Sequence, residues 1–335
     1  MQTNTYNSSK IGLWRTKPLD MPLKEGESHF NLEYIFPSGR QALSYSLQHV
    51  GLYRYHRIAV PEWSSQCVVS AVGRYCMPIP ITEVLRYKIK VDAVLVYEQW
   101  GWPLTKKIMN QLINYFKGAV FIQDMVDSAH FKLNNVYKHN KFKAIIQIMS
   151  LSKLLGLSSG GLAFVDGKPL SFIPESESEK LLTVLEQQNY IKEHPCGLIS
   201  DLIKNSVAAL PLNIKDWINR NNLFGAVESE LRLRQGNLKK ILNSSLIDTW
   251  PKWIIESIDN GAGPGIAPLL KGYPENILIK NKEYLQKVYG IETSIYHFNW
   301  SGNPLEPDYR KCLAFPVHGM VPDIEMILKD IEKLV

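Results

Sequence analysis

Short continuous apolar runs alternate with helically spaced apolar positions from Phe36 to Asp166. The runs in HRIAVPEW, MPIPI, VDAVLVYEQWG, GAVFIQD, AIIQIMS and GGLAFVD do not alternate apolar with polar residues, which predicts strands buried on both faces. Between them, PSGRQALSYSLQHVGL places Ala42, Leu43, Tyr45, Leu47 and Val50 at helical spacing behind a start at Ser38-Gly39. SSQCVVSAVGRYC reads as a helix capped by Ser64 and ended by Gly73. TKKIMNQLINYF is amphipathic, with Ile108, Met109, Leu112, Ile113 and Phe116 on one side. Strands in alternation with helices predict a three-layer α/β/α, mainly parallel sheet. From about Pro169 to Leu246 the chain reads as largely helical and more polar, and NGAGPGIAP (Asn260 to Pro268) reads as a hinge. Beyond it, ENILIK, TSIYHF and KCLAFPV are predicted strands, and KEYLQKVYG and PDIEMILKDIEKLV predicted helices, of a smaller C-terminal α+β domain. The expected organisation is an extended arm over 1–30 packing on a neighbour, a large domain over 31–258 and a small one over 259–335.

Composition narrows the function classes. Of 335 residues, 45% are hydrophobic and 21% charged, which suits a soluble globular protein with a sizeable core. The net charge of +6 is spread along the chain without a basic tract, so an anionic small molecule is expected and nucleic acid is not. Cys67, Cys76, Cys196 and Cys312 form no CxxC pair, which predicts free thiols and no metal site. MQTNTYNSSK lacks the apolar core of a secretory signal and no run is long enough to span a bilayer, so a cytoplasmic protein is expected.

In doubly wound sheets, ligands sit at the carboxyl ends of the strands, which directs attention to Trp63, Gly101, Asp124 and Lys153. Lys153 follows AIIQIMS, with Ser150 and Ser152 beside it and Gly160-Gly161 downstream. A lysine there can lose its charge by desolvation and become nucleophilic. Asp124 ends GAVFIQD, 29 residues earlier. Ser38-Gly39-Arg40 opens a helix, whose free amides can cradle a phosphate. An amine, a carboxylate and a phosphate cradle are what a protein must supply to pyridoxal 5'-phosphate (PLP).

The same residues resemble the DegT/DnrJ/EryC1/StrS sugar aminotransferases, within the fold-type-I PLP enzymes. PSGRQAL is similar to the family's SGTAAL phosphate loop, YEQWGWPLT to its glycine-x-proline turn at Gly101 and Pro103, IQDMVDSAH to its IEDAAHS segment, and SLSKLLGLSSGG to its SF-K-GEGG segment. The resemblance implies that Lys153 is the Schiff-base lysine and Asp124 the partner of the pyridine nitrogen. It implies that Ser38, Gly39, Arg40 and Ser150 hold phosphate and that Trp63 stacks on the ring. Asp127 stands where the family has His or Gln near the cofactor's phenolic oxygen. The family's NxRM segment is absent, with RLRQGN (Arg232 to Asn237) a poor substitute. The resemblance further implies a homodimer that passes an amino group from glutamate to a nucleotide-linked keto sugar. The departures leave room for a lyase, a dehydratase, a non-sugar transaminase or a catalytically silent binding protein on the same fold.

Overall fold

A computed structural model describes residues 10–129, 141–172, 212–248 and 250–335. The first strand pair and its helices follow the apolar pattern. α1 (Gly39–His49) starts at Ser38, whose Oγ accepts from the Gln41 amide at 3.2 Å, and buries Ala42, Leu43 and Leu47. β1 (Arg57–Val60), α2 (Gln66–Gly73), β2 (Met77–Pro80), α3 (Ile81–Arg86), β3 (Ala93–Tyr97), α4 (Lys106–Tyr115), β4 (Val120–Asp124) and β5 (Ala144–Ser150) come next. The N-cap of α2 is Ser65 rather than Ser64, because the Ser64 hydroxyl donates to the Pro61 carbonyl and closes a turn instead. α3 escaped the sequence reading because it is only one and a half turns long. α5 (Leu151–Leu155), β6 (Gly161–Val165) and β7 (Lys168–Pro169) complete this half.

Among the described residues, seven strands form one sheet in the order β2-β1-β3-β4-β5-β6-β7. The first five are parallel, and β6 pairs antiparallel with β5. One face carries Ile58, Leu95, Ile122 and Ile148 against α1 and α2, and the other carries Val94, Val96 and Phe121 against α4. This is the expected mainly parallel three-layer sheet with a smaller second sheet.

The chain continues through α6 (Leu212–Arg220), α7 (Leu223–Ile241), α8 (Lys252–Asp259), β8 (Ile266–Leu269), α9 (Glu275–Tyr289), β9 (Ser294–Asn299), β10 (Tyr309–Pro316) and α10 (Ile324–Leu334). The second sheet is antiparallel, in the order β8-β10-β9. Its core takes in Leu238 and Ile241 of α7 and Ile254 and Ile258 of α8. The Gly/Pro break therefore falls inside this packing unit. ENILIK is helical, not a strand. Leu278, Asn281 and Leu285 bury one side of α9, and a short apolar run cannot distinguish the two periods. Cys196 and most of the segment read as helical before Leu212 lie outside the described residues.

The described part of the N-terminal arm packs on its own chain. Ile11 bridges Ile291 beside the small sheet, Leu19 and Met21 rest on the α6–α7 core, and Pro22 bridges Asn221. Among the described residues no helix is long and apolar enough to cross a membrane.

Candidate active site

β3, β4 and β5 end side by side, so the residues at their carboxyl ends share one crevice on the α1 face. Tyr97 pairs with Asp124, and Asp124 with Ile148. Lys153 follows in the first turn after β5. Its Nζ lies 2.7 Å from Asp127 Oδ1 and 4.7 Å from the centroid of the Trp14 ring. Cys67, at the start of α2, is close enough to add to the field at the amine.

The seam between β6 and the phosphate-loop segment fixes the end of α1 beside this lysine. Phe36 and Gly161 exchange both backbone hydrogen bonds, at 2.9 and 2.8 Å, and the Gly160 amide donates to the Pro37 carbonyl at 2.9 Å. A β-carbon on Gly161 would stand 2.4 Å from the Ser38 carbonyl carbon, so only glycine permits this approach. A β-carbon on Gly39 would stand 3.6 Å from the Ser150 Cβ, which places the start of α1 close to Ser150. The Ser150 and Ser152 hydroxyls are 3.0 Å apart. Arg40 stands in the first turn of α1 and lines a groove with Arg74, Tyr75 and Phe172. Gly101, at φ +90, lets its turn press on the Asp127–Ser128 backbone, where a β-carbon would meet the Asp127 carbonyl oxygen at 2.6 Å.

The opposite wall is aromatic. Trp63 is 53% exposed, and its ring lies 4.5 Å from that of His297 and 5.6 Å from that of Tyr309. Tyr309 Oη is 3.3 Å from Tyr97 Oη, which links Trp63 to the Asp124 row without direct contact. His318 is core: Nε2 lies 3.0 Å from the Gly12 carbonyl, and burial pushes the ring down to about 4.

The electrostatics correct one expectation. Burial does pull the Lys153 amine down, but Asp127, with help from Asp124 and Cys67, outweighs it, and the amine titrates above an ordinary lysine. In the ligand-free protein it is a cation. Asp124 is pushed up to about 6, by burial first and then by Asp127, with Lys153 and the Val126 amide opposing. A positive charge placed against Asp124 would reverse that shift.

Beneath the crevice a polar ladder crosses three strands on the other sheet face. Gln147 Nε2 donates to Gln123 Oε1 at 3.2 Å, and Gln123 Nε2 to Glu98 Oε1 at 2.7 Å. Burial drives Glu98 up to about 8, against the Gln123 amide and Ser128 hydroxyl and with help from Asp124. The folded state thus holds a proton on Glu98 that the unfolded chain releases above its ordinary value of 4.5. Stability contributed this way is complete below that value and declines as pH rises towards 8. Asp124 adds the same sign below about 6, and His318 the opposite sign between about 4 and 6.5. The window from 6.5 to 8 is therefore left to Glu98 among the described groups shifted into the neutral range. Glu98→Gln keeps the shape and removes the titration. It should raise the free energy of urea unfolding at pH 8 by on the order of 1–3 kcal/mol and flatten the decline between pH 6.5 and 8. An unchanged slope would remove Glu98 as its source.

The backbones of Lys153 and Asp127 are held from behind by a residue that carried no such role in the sequence reading. Arg234, on α7, has no exposed surface. Its Nη1 donates to the carbonyls of Asp127 (2.9 Å) and Gly263 (3.2 Å), and its Nη2 to that of Lys153 (3.4 Å). Its Nε pairs with the buried Glu230 at 2.9 Å, and Arg15 from the arm takes the other Glu230 oxygen at 3.1 Å. Gln235 and Asn237 hold the carbonyls of Gly261, Val317 and His318. Trp14, Tyr97, Tyr309 and Glu98 were also missed. Their only local signal was apolar or polar patterning, because they meet the site from remote parts of the chain.

Comparisons with known proteins agree with this architecture. Residues 27–176 match a family described as "Putative PLP-dependent aminotransferase". An aromatic aminotransferase from Pyrococcus horikoshii aligns over 98% of both chains, at 14% identity and a TM-score of 0.52. The fold is that of the PLP-dependent aminotransferases. A DegT/DnrJ/EryC1/StrS aminotransferase from Brucella abortus shares it, at 13% identity and a TM-score of 0.52, over 89% of this chain and 84% of that one. A search of curated protein sequences found no match. The matched family segment contains Ser38, Asp124 and Lys153. The chemistry of this aminotransferase fold suits PLP: an amine and a buried carboxyl open on one crevice, beside a helix end closed by a glycine cradle. Among the described residues no group of three or more His, Cys, Asp or Glu could hold a metal.

Proposed function

We propose that this protein is a PLP-dependent aminotransferase that moves an amino group from glutamate to a keto sugar carried on a nucleotide. The observation that carries this reading is the meeting of Lys153 and Asp124 in one crevice beside the amino end of α1. Lys153 would hold the cofactor, Asp124 its ring nitrogen, and Ser38, Gly39, Arg40 and Ser150 its phosphate, with Trp63 covering the ring from the aromatic wall. PLP, when bound, supplies an electron-withdrawing ring that lets the carbon next to the substrate nitrogen give up a proton. Lys153 has to shed a proton to solvent before it can attack or act as a base, and Asp127 Oδ1, at 2.7 Å, orients the amine while holding it charged beforehand. Once neutral, Nζ takes the proton from the donor's α-carbon and returns it to the acceptor's carbon. Asp124 has to be ionised to hold the ring nitrogen's proton, which its upward shift to about 6 allows at neutral pH. The Trp14 ring lies 4.7 Å from the amine and makes a cation–π contact with it. Resemblance to the sugar aminotransferases supports the acceptor class and a homodimer.

A second reading draws on Asp127. A carboxylate paired with the lysine, in place of a neutral His or Gln, changes where protons go and suits a lyase or dehydratase of the same fold. The experiment that separates these readings has two parts. Purified protein supplied with PLP should show a visible absorbance band that borohydride removes, with the pyridoxyl label on Lys153 by peptide mapping. Incubated with glutamate and a panel of nucleotide-linked keto sugars, it should yield an amino sugar. A label elsewhere refutes the site, and a correct label with no amination of any sugar favours the second reading.

A further inference from the structure

A cavity of about 550 Å³ opens at the end of the sheet opposite Lys153. Its lining residues His56, Asp92, Ala119 and Lys143 immediately precede β1, β3, β4 and β5. The crevice already described lies at the other ends of the same strands. The floor is apolar, with Leu52, Val84 and Phe116 buried and Ile89 and Val91 half-buried. The rim carries four exposed lysines: Lys88, Lys90, Lys117 and Lys143. None of them has a carboxylate partner among the described residues. The one acid in the lining, Asp92, accepts from the Arg57 amide at 2.9 Å. Lysines that look dispersed along the sequence are thus brought by the fold to one opening.

A second observation concerns the backbone at the rim. Lys88 has φ +51, a conformation that favours glycine. It sits where α3 ends, between Tyr87 and the Ile89 amide that donates to the Val84 carbonyl at 3.0 Å. Glycine is the usual residue at such a helix end, and strained non-glycine positions concentrate at binding sites. Here the strain sets one more amine on the rim. Like charges held together without a counter-ion repel, and a bound anion relieves that repulsion. Ammonium groups act as point charges rather than planar forks, which suits phosphate better than a lone carboxylate.

We propose that this cavity binds a phosphorylated organic molecule, with its apolar body on the Leu52–Phe116 floor and its phosphate groups among the four lysines. The site is separate from the crevice and does not depend on the reaction assigned there. The test is calorimetric titration of the PLP-loaded protein, freed of excess cofactor, with ATP, with octyl phosphate and with inorganic tripolyphosphate. One site per chain is expected for at least one organic probe. The better of ATP and octyl phosphate tells a nucleotide from an aliphatic phosphate, and tripolyphosphate should bind about tenfold more weakly than it. K90E/K117E should weaken the organic probe by about tenfold or more. Lys88→Gly should weaken it too while raising the melting temperature, a combination that damage to the fold cannot produce. Absence of saturable binding by either organic probe, indifference to these substitutions, or equal binding of tripolyphosphate would overturn the proposal.

Discussion

Lys153→Ala is expected to lose turnover by on the order of 10⁴-fold or more, because on the proposed reading one change removes both the attacking amine and the base that moves the α-proton. Lys153→Arg separates that loss from any structural one. Its guanidinium keeps a cation beside Asp127 and under Trp14, so the folded protein should keep its unfolding midpoint, yet it cannot bond the cofactor carbon. The alanine variant leaves Asp127 without its 2.7 Å partner and with Asp124 nearby, so it should also lose stability, by about 1–3 kcal/mol, in the cofactor-free form. Turnover, borohydride-sensitive absorbance and urea midpoints of the two variants measure all three effects. Activity in Lys153→Arg near the wild-type rate would refute the assigned role.

Arg234→Met should cost about 3–5 kcal/mol, the largest stability effect expected of any single surface-inaccessible side chain described above. It leaves Glu230 buried with only Arg15 as partner and strips donors from the carbonyls of Asp127, Gly263 and Lys153. The companion variant Arg234→Met/Glu230→Leu removes the stranded charge and should recover part of the loss. The carbonyls remain unheld in both. If the arginine fixes the Lys153–Asp127 geometry, the pH profile of borohydride labelling shifts in the double variant even where stability recovers. Equal unfolding midpoints for wild type and Arg234→Met would show that the buried pair contributes nothing.

Much of the larger sheet was legible in the sequence because parallel strands buried on both faces write continuous apolar runs, and the intervening helices write a different period. The same rule explains the errors. ENILIK is a short apolar run with no turn signal after it, and α9 absorbs it into a helix whose buried side runs through Leu278, Asn281 and Leu285. β8 lay hidden inside a Gly/Pro-rich stretch that was read as a hinge. Asp124 and Lys153 could be placed at strand ends from their positions alone. Their charge states could not, because the raised titration of Lys153 depends on Asp127 across 2.7 Å of space. Trp14, Tyr309 and Arg234 reach the crevice from the arm, the small sheet and α7, and no local pattern encodes such meetings.

The antiparallel zipper between Phe36 and Gly161 joins the start of α1 to the segment just after the lysine. The two grips proposed for a cofactor, one on its phosphate and one on its aldehyde end, would therefore be joined directly by backbone hydrogen bonds rather than mounted on two separate arms. Thermal jostling elsewhere in the molecule would then carry both together, and the span between them would be set once, when the chain folds.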